Sequence, residues 1–288
     1  MGTFHKVVIG DSRRMTEVED ESVHLCVTSP PYWKLKDYGS EEQIGQADSS
    51  YESYFANITE VFRECVRVLA PDGKIAINIM PIFLSGKNSK FGRRVTKTVL
   101  SDLELFFDSL GSMYFHSLFI WDKRKAVRIS SFGSYPYPSN LFSSFPYEWI
   151  IVFAKEGKRK PVSREIKEKS KVSQEEWANW CVNSMWEMQP AKASSENHPA
   201  PFPDELPRRI IKLYSFYGDT VLDPFLGSGT TSKVALELGR NSIGYEINEE
   251  YVKTIKKKIG YTIPKLGAET NYEFLLKKDK EVELNERQ

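Results

Sequence analysis

The segment Thr220-Val221-Leu222-Asp223-Pro224-Phe225-Leu226-Gly227-Ser228-Gly229-Thr230-Thr231 restricts the fold of this chain more than any other stretch. A short apolar run ends in an acid, turns through two glycines and opens onto a helix-forming sequence, the pattern of a strand, a tight loop and a helix start. Glycines let a backbone turn sharply and approach a ligand closely, and the first amides of a helix have no partner within it. A Walker phosphate loop needs Gly-Lys-Ser/Thr, whereas Gly229 is followed by Thr230, so a nucleoside triphosphatase is disfavoured. The carboxylate of Asp223 suits a ligand with a positive amino group better than one with phosphates. The following strand ends in Gly244-Tyr245-Glu246, an acid some twenty residues on, where a doubly wound fold accepts hydrogen bonds from ribose hydroxyls. Asp223, the loop and Glu246 together describe a site for a nucleoside with a cationic tail.

The rest of the chain alternates in the same way. Strands are predicted at Val7–Ile9, His24–Thr28 and Lys74–Met80, with a helix from Glu52 to Leu69 in which Phe55, Ile58, Phe62, Cys65, Val66 and Leu69 recur at helical spacing. Ser49 and Glu52 have the spacing of a capping box, and Pro71-Asp72-Gly73 breaks the helix. A second periodic stretch runs from Val95 to Leu110, followed by strand-like runs at Tyr114–Trp121 and Trp149–Phe153. After His198 a helix is expected at Leu206–Tyr214, a strand at Thr220–Leu222, a helix at Thr230–Leu238, a strand at Ser242–Tyr245 and a helix from Glu249. Such alternation predicts an α/β fold, a mainly parallel Rossmann-like sheet with helices on both faces and its ligands at the carboxyl ends of the strands. Residues 155–190 read as an insertion between a first half, 1–154, and a second, 191–265, and residues 266–288 as a charged peripheral extension.

Composition narrows the function classes. No apolar run approaches the ~20 residues of a membrane span, and the start MGTFHKVVIG lacks the pattern of a signal peptide, from which a cytoplasmic location without membrane contact is expected. The three cysteines, Cys26, Cys65 and Cys181, and the four histidines form no CxxC or HExxH spacing, so neither a disulfide framework nor a metal site is expected. The net charge of +1 decides nothing about nucleic acid, because phosphate binding depends on a local basic face.

A second motif, Ser29-Pro30-Pro31-Tyr32-Trp33, follows the strand that ends at Thr28. The prolines stiffen the backbone and donate nothing, which frees neighbouring carbonyls for a ligand, and an aromatic residue follows at once. With Asp223–Thr231, this segment resembles the amino-methyltransferase family acting on DNA, and its SPPY form resembles the N4-cytosine branch. Gly10-Asp11-Ser12, Asp37-Tyr38-Gly39, Glu148–Phe153 and His198–Pro203 match as well, so the likeness covers most of the chain outside the insertion and tail. The catalytic motif precedes the cofactor motif, which resembles the beta, circularly permuted class.

The resemblance implies transfer of a methyl group from S-adenosyl-L-methionine to the exocyclic amine of a base flipped from duplex DNA. That amine is a poor nucleophile because its lone pair is conjugated with the ring, so acceptors for its N–H bonds are needed; Ser29 and the carbonyl of Pro30 are the candidates, with Pro31 and Tyr32 completing the motif. Tyr32, and with it Trp33, would stack on the base. Asp223, Pro224, Phe225, Gly227, Ser228, Gly229 and Thr230 would bind the amino-acid end of the cofactor, Glu246 its ribose and Asp11 its adenine, with His198 lining the pocket. Carbon-5 chemistry is set aside, because it needs a thiolate nucleophile and related enzymes place that cysteine after proline, whereas Leu25, Glu64 and Trp180 precede the three here. N6-adenine remains the alternative to N4-cytosine, and a catalytically silent DNA-binding protein is the reading from another class.

Sequence recognition is expected in residues 155–190, where Lys158, Arg159 and Lys160 lead a basic run diluted by glutamates, and in a DNA-facing loop at about 123–147 that starts with Lys123, Arg124, Lys125 and Arg128. Double-stranded DNA is the expected partner, with a separately acting restriction endonuclease as a cognate.

Overall fold

The computed structural model describes residues 2–33, 42–46, 49–125, 133–143, 145–191, 202–261 and 270–277. Strand β1 (Thr3–Ile9) and β2 (Val23–Thr28) precede helix α1 (Tyr51–Val68), which leads into β3 (Leu69–Ile79). A hairpin of β4 (Ile82–Leu84) and β5 (Val95–Lys97), helix α2 (Val99–Ser109), β6 (Met113–Asp122) and β7 (Tyr147–Lys155) follow. Next come α3 (Arg164–Lys169), α4 (Gln174–Trp177) and β8 (Met185–Glu187), then α5 (Glu205–Tyr214), β9 (Thr220–Asp223), α6 (Thr230–Glu237), β10 (Asn241–Glu246), α7 (Val252–Lys258) and β11 (Thr270–Leu276).

Nine of these strands form one sheet in the order β11-β1-β10-β9-β2-β3-β7-β6-β8. All neighbours are parallel except at β7, which runs antiparallel to both β3 and β6. Alternate residues of the central strands face opposite layers. Cys26, Ile75 and Leu222 join the layer of α1 and α2, while Leu25, Val27, Ala76 and Val221 join that of α5 and α6. Helix α1 buries Tyr51, Tyr54, Ile58, Val61, Phe62, Cys65 and Val68 at three- and four-residue steps, worth about 1.5–3 kcal/mol for each large apolar side chain. It therefore forms because one face is apolar and has a sheet to cover.

Several expectations shift. The N-cap of α1 is Ser50, whose hydroxyl accepts from the Ser53 amide, not Ser49. The front of the periodic stretch from Val95 is the second strand of a hairpin, and the helix begins only at Val99. The tail was expected to be peripheral, yet Thr270–Leu276 is the outermost strand of the sheet, in register with all seven residues of β1. Tyr272 and Phe274 pack with Val7, Ile9, Ile255 and Ile259. Seven residues after a charged, weakly patterned stretch carry too little periodicity to reveal an edge strand. The expected insertion is also tied to the sheet, since β8 pairs with β6 and Trp186 is fully buried against Phe119.

Candidate active site

The carboxyl ends of β1, β2, β9 and β10 converge on one cavity, whose lining includes Asp11, Ser29, Tyr32, Phe225, Gly227 and Glu246. Its base is the strand-loop-helix unit after β9. Gly227 and Gly229 adopt φ of +54° and +91°, a left-handed backbone that residues with a Cβ rarely hold. The loop can therefore fold back tightly before α6 begins.

Glu246 holds that loop. One carboxylate oxygen accepts from the Gly227 amide at 2.8 Å and the other from Asn248 at 2.9 Å. Burial pushes its pKa up to about 7, although these amides act in the opposite direction. Asp223 is placed differently from the expectation of a direct cofactor ligand. It is 1% exposed and is not part of the cavity lining. Its oxygens accept from the hydroxyls of Thr28 (2.8 Å) and Thr231 (2.6 Å) and from the Phe225 amide (3.1 Å). Burial raises its pKa to about 6. Asp223 thus ties the end of β2 to the loop after β9 from beneath.

Ser228 and Thr230 line the cavity, and Lys258 of α7, which carried no sequence signal beyond a lysine run, donates to both hydroxyl oxygens at 2.8 Å. An ammonium only donates, so both hydroxyls accept from it and turn their hydrogens toward further acceptors. Asp11 reaches the cavity while binding the amide and guanidinium of Arg13, at 2.8 and 2.7 Å. Two carboxylates that can accept from a nucleoside, and hydroxyls backed by a cation that can donate to an amino-acid carboxylate, fit S-adenosyl-L-methionine in the chemistry of their donors and acceptors. His198 lies outside the described residues.

Beside the cavity, the Ser29 hydroxyl donates to the carbonyl of Asn78 at the end of β3, at 3.0 Å. Its one hydrogen is used there, which leaves the oxygen as an acceptor. Tyr32 donates to Glu148 at 3.2 Å, and Asn78 Nδ2 donates to the same carboxylate oxygen at 2.6 Å. Lys123 pairs with the other oxygen of Glu148. The Pro31 carbonyl accepts from Tyr54 at 3.0 Å, fixing the motif to α1. Glu148, Asn78 and Thr28 were assigned no role from the sequence. Glu148 opens a segment that already resembles the family, and a buried acid at the head of the apolar run Trp149–Phe153 needs a partner, a signal for its role.

Trp33 corrects an expectation. The residue is 5% exposed, its ring packs against Tyr51 and Tyr54 and its N–H donates to the Ser49 carbonyl, so it is part of the core instead of an exposed stacking surface. The basic residues divide as well. Lys123, Arg124 and Lys125 leave β6 at the cavity edge, but each is paired, with Glu148, Asp122 and Glu187 respectively. Arg128 lies outside the described residues. Lys158, Arg159 and Lys160 follow the carboxyl end of β7. Because that strand is antiparallel, they sit at the sheet edge opposite the cavity, where Arg159 pairs with Asp219 at the start of β9. The reversal of one strand therefore removes this run from the expected DNA face.

Comparison with known proteins gives the same direction. A family model described as DNA methylase matches residues 23–257. The Type II methyltransferase M.MjaI of Methanocaldococcus jannaschii is 34% identical over 95% of this chain and 97% of its own length. M.MthZI of Methanothermobacter thermautotrophicus is 32% identical over 91% of this chain and 78% of its own. Among solved structures, a putative DNA modification methylase from Thermus thermophilus complexed with S-adenosyl-L-methionine superposes with a TM-score of 0.75 and 29% identity, covering 96% of this chain and 99% of that one.

Proposed function

The chain belongs to the DNA methylase family of S-adenosyl-L-methionine-dependent DNA methyltransferases, and from that premise we propose that it methylates the N4 amine of cytosine in duplex DNA as the modification enzyme of a restriction-modification system. The reading is carried by Ser29, which lines the cavity and whose hydroxyl donates to the Asn78 carbonyl, so that its oxygen can accept an amine N–H. Serine at this position, where the N6-adenine alternative more often has aspartate, favours cytosine by resemblance.

Asp11, Glu246 and the Gly227–Thr230 loop would hold the cofactor, which supplies an activated methyl group when bound. Accepting an N–H bond of the target amine withdraws its lone pair from conjugation and directs it outward, and alignment then supplies much of the acceleration. Tyr32 offers its ring to a flipped base, with its hydroxyl held by Glu148 so that the ring does not swing away. Stacking on it offsets part of the few kcal/mol that extrusion costs. The Lys123 ammonium neutralises Glu148 and keeps a buried negative charge from repelling the DNA. The relatives' names, Type II methyltransferases, are in keeping with a modification enzyme, and a separately acting endonuclease is part of the same proposal.

The test is to methylate synthetic duplexes with labelled cofactor and digest them to nucleosides. N4-methylcytosine is expected, and N6-methyladenine as the sole product would overturn the choice of base. In the same assay Ser29→Ala should lower turnover by about a hundredfold or more while cofactor affinity stays near the wild-type value. Full activity of that variant would remove Ser29 from its role.

A further inference from the structure

We propose that the β4–β5 hairpin is a DNA-binding arm that grips the phosphate backbone beside the active site. Between Asp72 and Asp102 the chain has no acidic residue, yet the hairpin from Ile82 to Lys97 carries Lys87, Lys90, Arg93, Arg94 and Lys97. Only Met80 and Pro81 separate it from the end of β3 at Ile79, which follows the Asn78 that holds Ser29. Since β3 runs parallel to β2, the arm stands at the cavity edge of the sheet.

Its base is anchored by aromatic contacts. Phe83 packs against Phe145 at 5.7 Å, and Arg94 lies over the rings of both Phe83 and Phe142, at 4.8 and 5.0 Å. The hairpin is thereby joined to the 133–143 segment, where Tyr135 and Tyr137 are 78% and 74% exposed. Lys97 sits over the Tyr51 ring and 3.8 Å from Asp102. At the tip, Lys87, Lys90 and Arg93 are exposed, and none of the three is in an ion pair among the described residues. Phe91 between them is 63% exposed, with the Lys90 ammonium 5.4 Å from its ring centre.

Its place on the cavity edge distinguishes the arm from the run after β7, where Lys158, Lys160, Arg164 and Lys167 are likewise exposed and in no ion pair among the described residues but stand at the opposite edge or beyond it. Lys155, Arg159, Lys169 and Lys171 each face a carboxylate, from Glu21, Asp219, Glu165 and Glu168, so binding a phosphate there must first break a pair. Three cations with no carboxylate partner among the described residues, set around an exposed aromatic ring, meet no such competitor, and each phosphate they neutralise releases condensed counterions. The aromatic ring adds a surface for an unstacked base. The inference rests on the reading of the chain as a DNA methyltransferase and adds where the duplex is held.

The experiment measures duplex binding as a function of salt for the full chain. The triple variant Lys87→Gln, Lys90→Gln, Arg93→Gln should lose at least about tenfold in affinity at 0.1 M salt, and the slope of log K against log salt should shrink by about one for each contact removed, near three in all. S-adenosyl-L-methionine affinity, measured in parallel, should be unchanged, which shows that the variant is folded. Arg93→Glu alone should shift the slope the same way should the triple variant fail to fold. The pair Lys158→Gln, Lys160→Gln at the opposite edge should leave the slope at the wild-type value. If wild type binds DNA and the hairpin variants keep its slope, or if the opposite-edge pair lowers it as much, the arm is overturned while the methylation reading stands. If wild type shows no salt-dependent duplex binding, both fall.

Discussion

Asp223 is bound to both halves of the site from below, through Thr28 at the end of β2 and Thr231 of α6. It is fully enclosed. Its pKa of about 6 lies above the ordinary 3.8, so the folded protein binds more protons than the unfolded chain between those values, and stability attributable to this group falls as pH rises through that window. Thr28→Val removes a bond that favours the ionised form, which pushes the pKa higher. The variant should lose about 1–3 kcal/mol, with the difference in melting temperature from wild type wider at pH 8 than at pH 5, where both forms are largely protonated. An equal difference at both values would remove Asp223 ionisation from the account. Lys258 leads to a second expectation. Lys258→Met deletes the charge behind Ser228 and Thr230, so affinity for S-adenosyl-L-methionine should drop about tenfold, the 1–2 kcal/mol of a charge-assisted bond. Affinity for methylthioadenosine, which lacks the amino-acid tail, should stay unchanged. Calorimetric titration separates the two, and equal losses for both ligands would place Lys258 in structural support only.

Among the elements, the strands with the clearest apolar runs were legible in the sequence to within a few residues, because each is buried on both faces and reads as continuous Val, Ile and Leu. Helix α6 was legible from the two glycines before it. Strand β11 was not, since an edge strand needs only one covered face and its apolar residues, Tyr272 and Phe274, find their partners on β1 and α7. Its contribution can be measured. A chain ending at Leu266 leaves the β1 edge unpaired over seven residues and exposes the apolar layer around Ile255. Losing two partly buried aromatics and that ladder should cost roughly 3 kcal/mol or more, a fall of about 6–12 °C in melting temperature. A truncated protein that melts with wild type would show that β11 is an accessory to the sheet. The hairpin β4–β5 was missed for a related reason: three-residue strands are too short to display a period, and Val95 sits next to a true helix whose rhythm absorbs it.

At the scale of the molecule, the two halves of the chain meet at the β2–β9 pair, so that the SPPY motif and the glycine loop, nearly two hundred residues apart, share one cavity. The sequence by itself determined the parts of this arrangement: the α/β alternation, the loop that only glycine can turn, the acid at the end of β10 and the rigid Ser29–Tyr32 segment. These are local, written in spacings along the chain and in the conformations that each residue type permits. The tertiary structure alone decided which groups face one another. Thr28 meets Asp223, Tyr32 meets Glu148 and Lys258 meets Ser228 across separations that no local pattern encodes. It also decided which charges stand at the cavity edge and which are paired with carboxylates. The reversal of β7 sends Lys158–Lys160 to the edge away from the cavity, and a carboxylate from the start of β9 takes Arg159. Meanwhile the short step after β3 starts a basic hairpin at the cavity edge of the sheet. Charge can be counted along a sequence, but its partner and its direction are properties of space, and only the folded sheet supplies them.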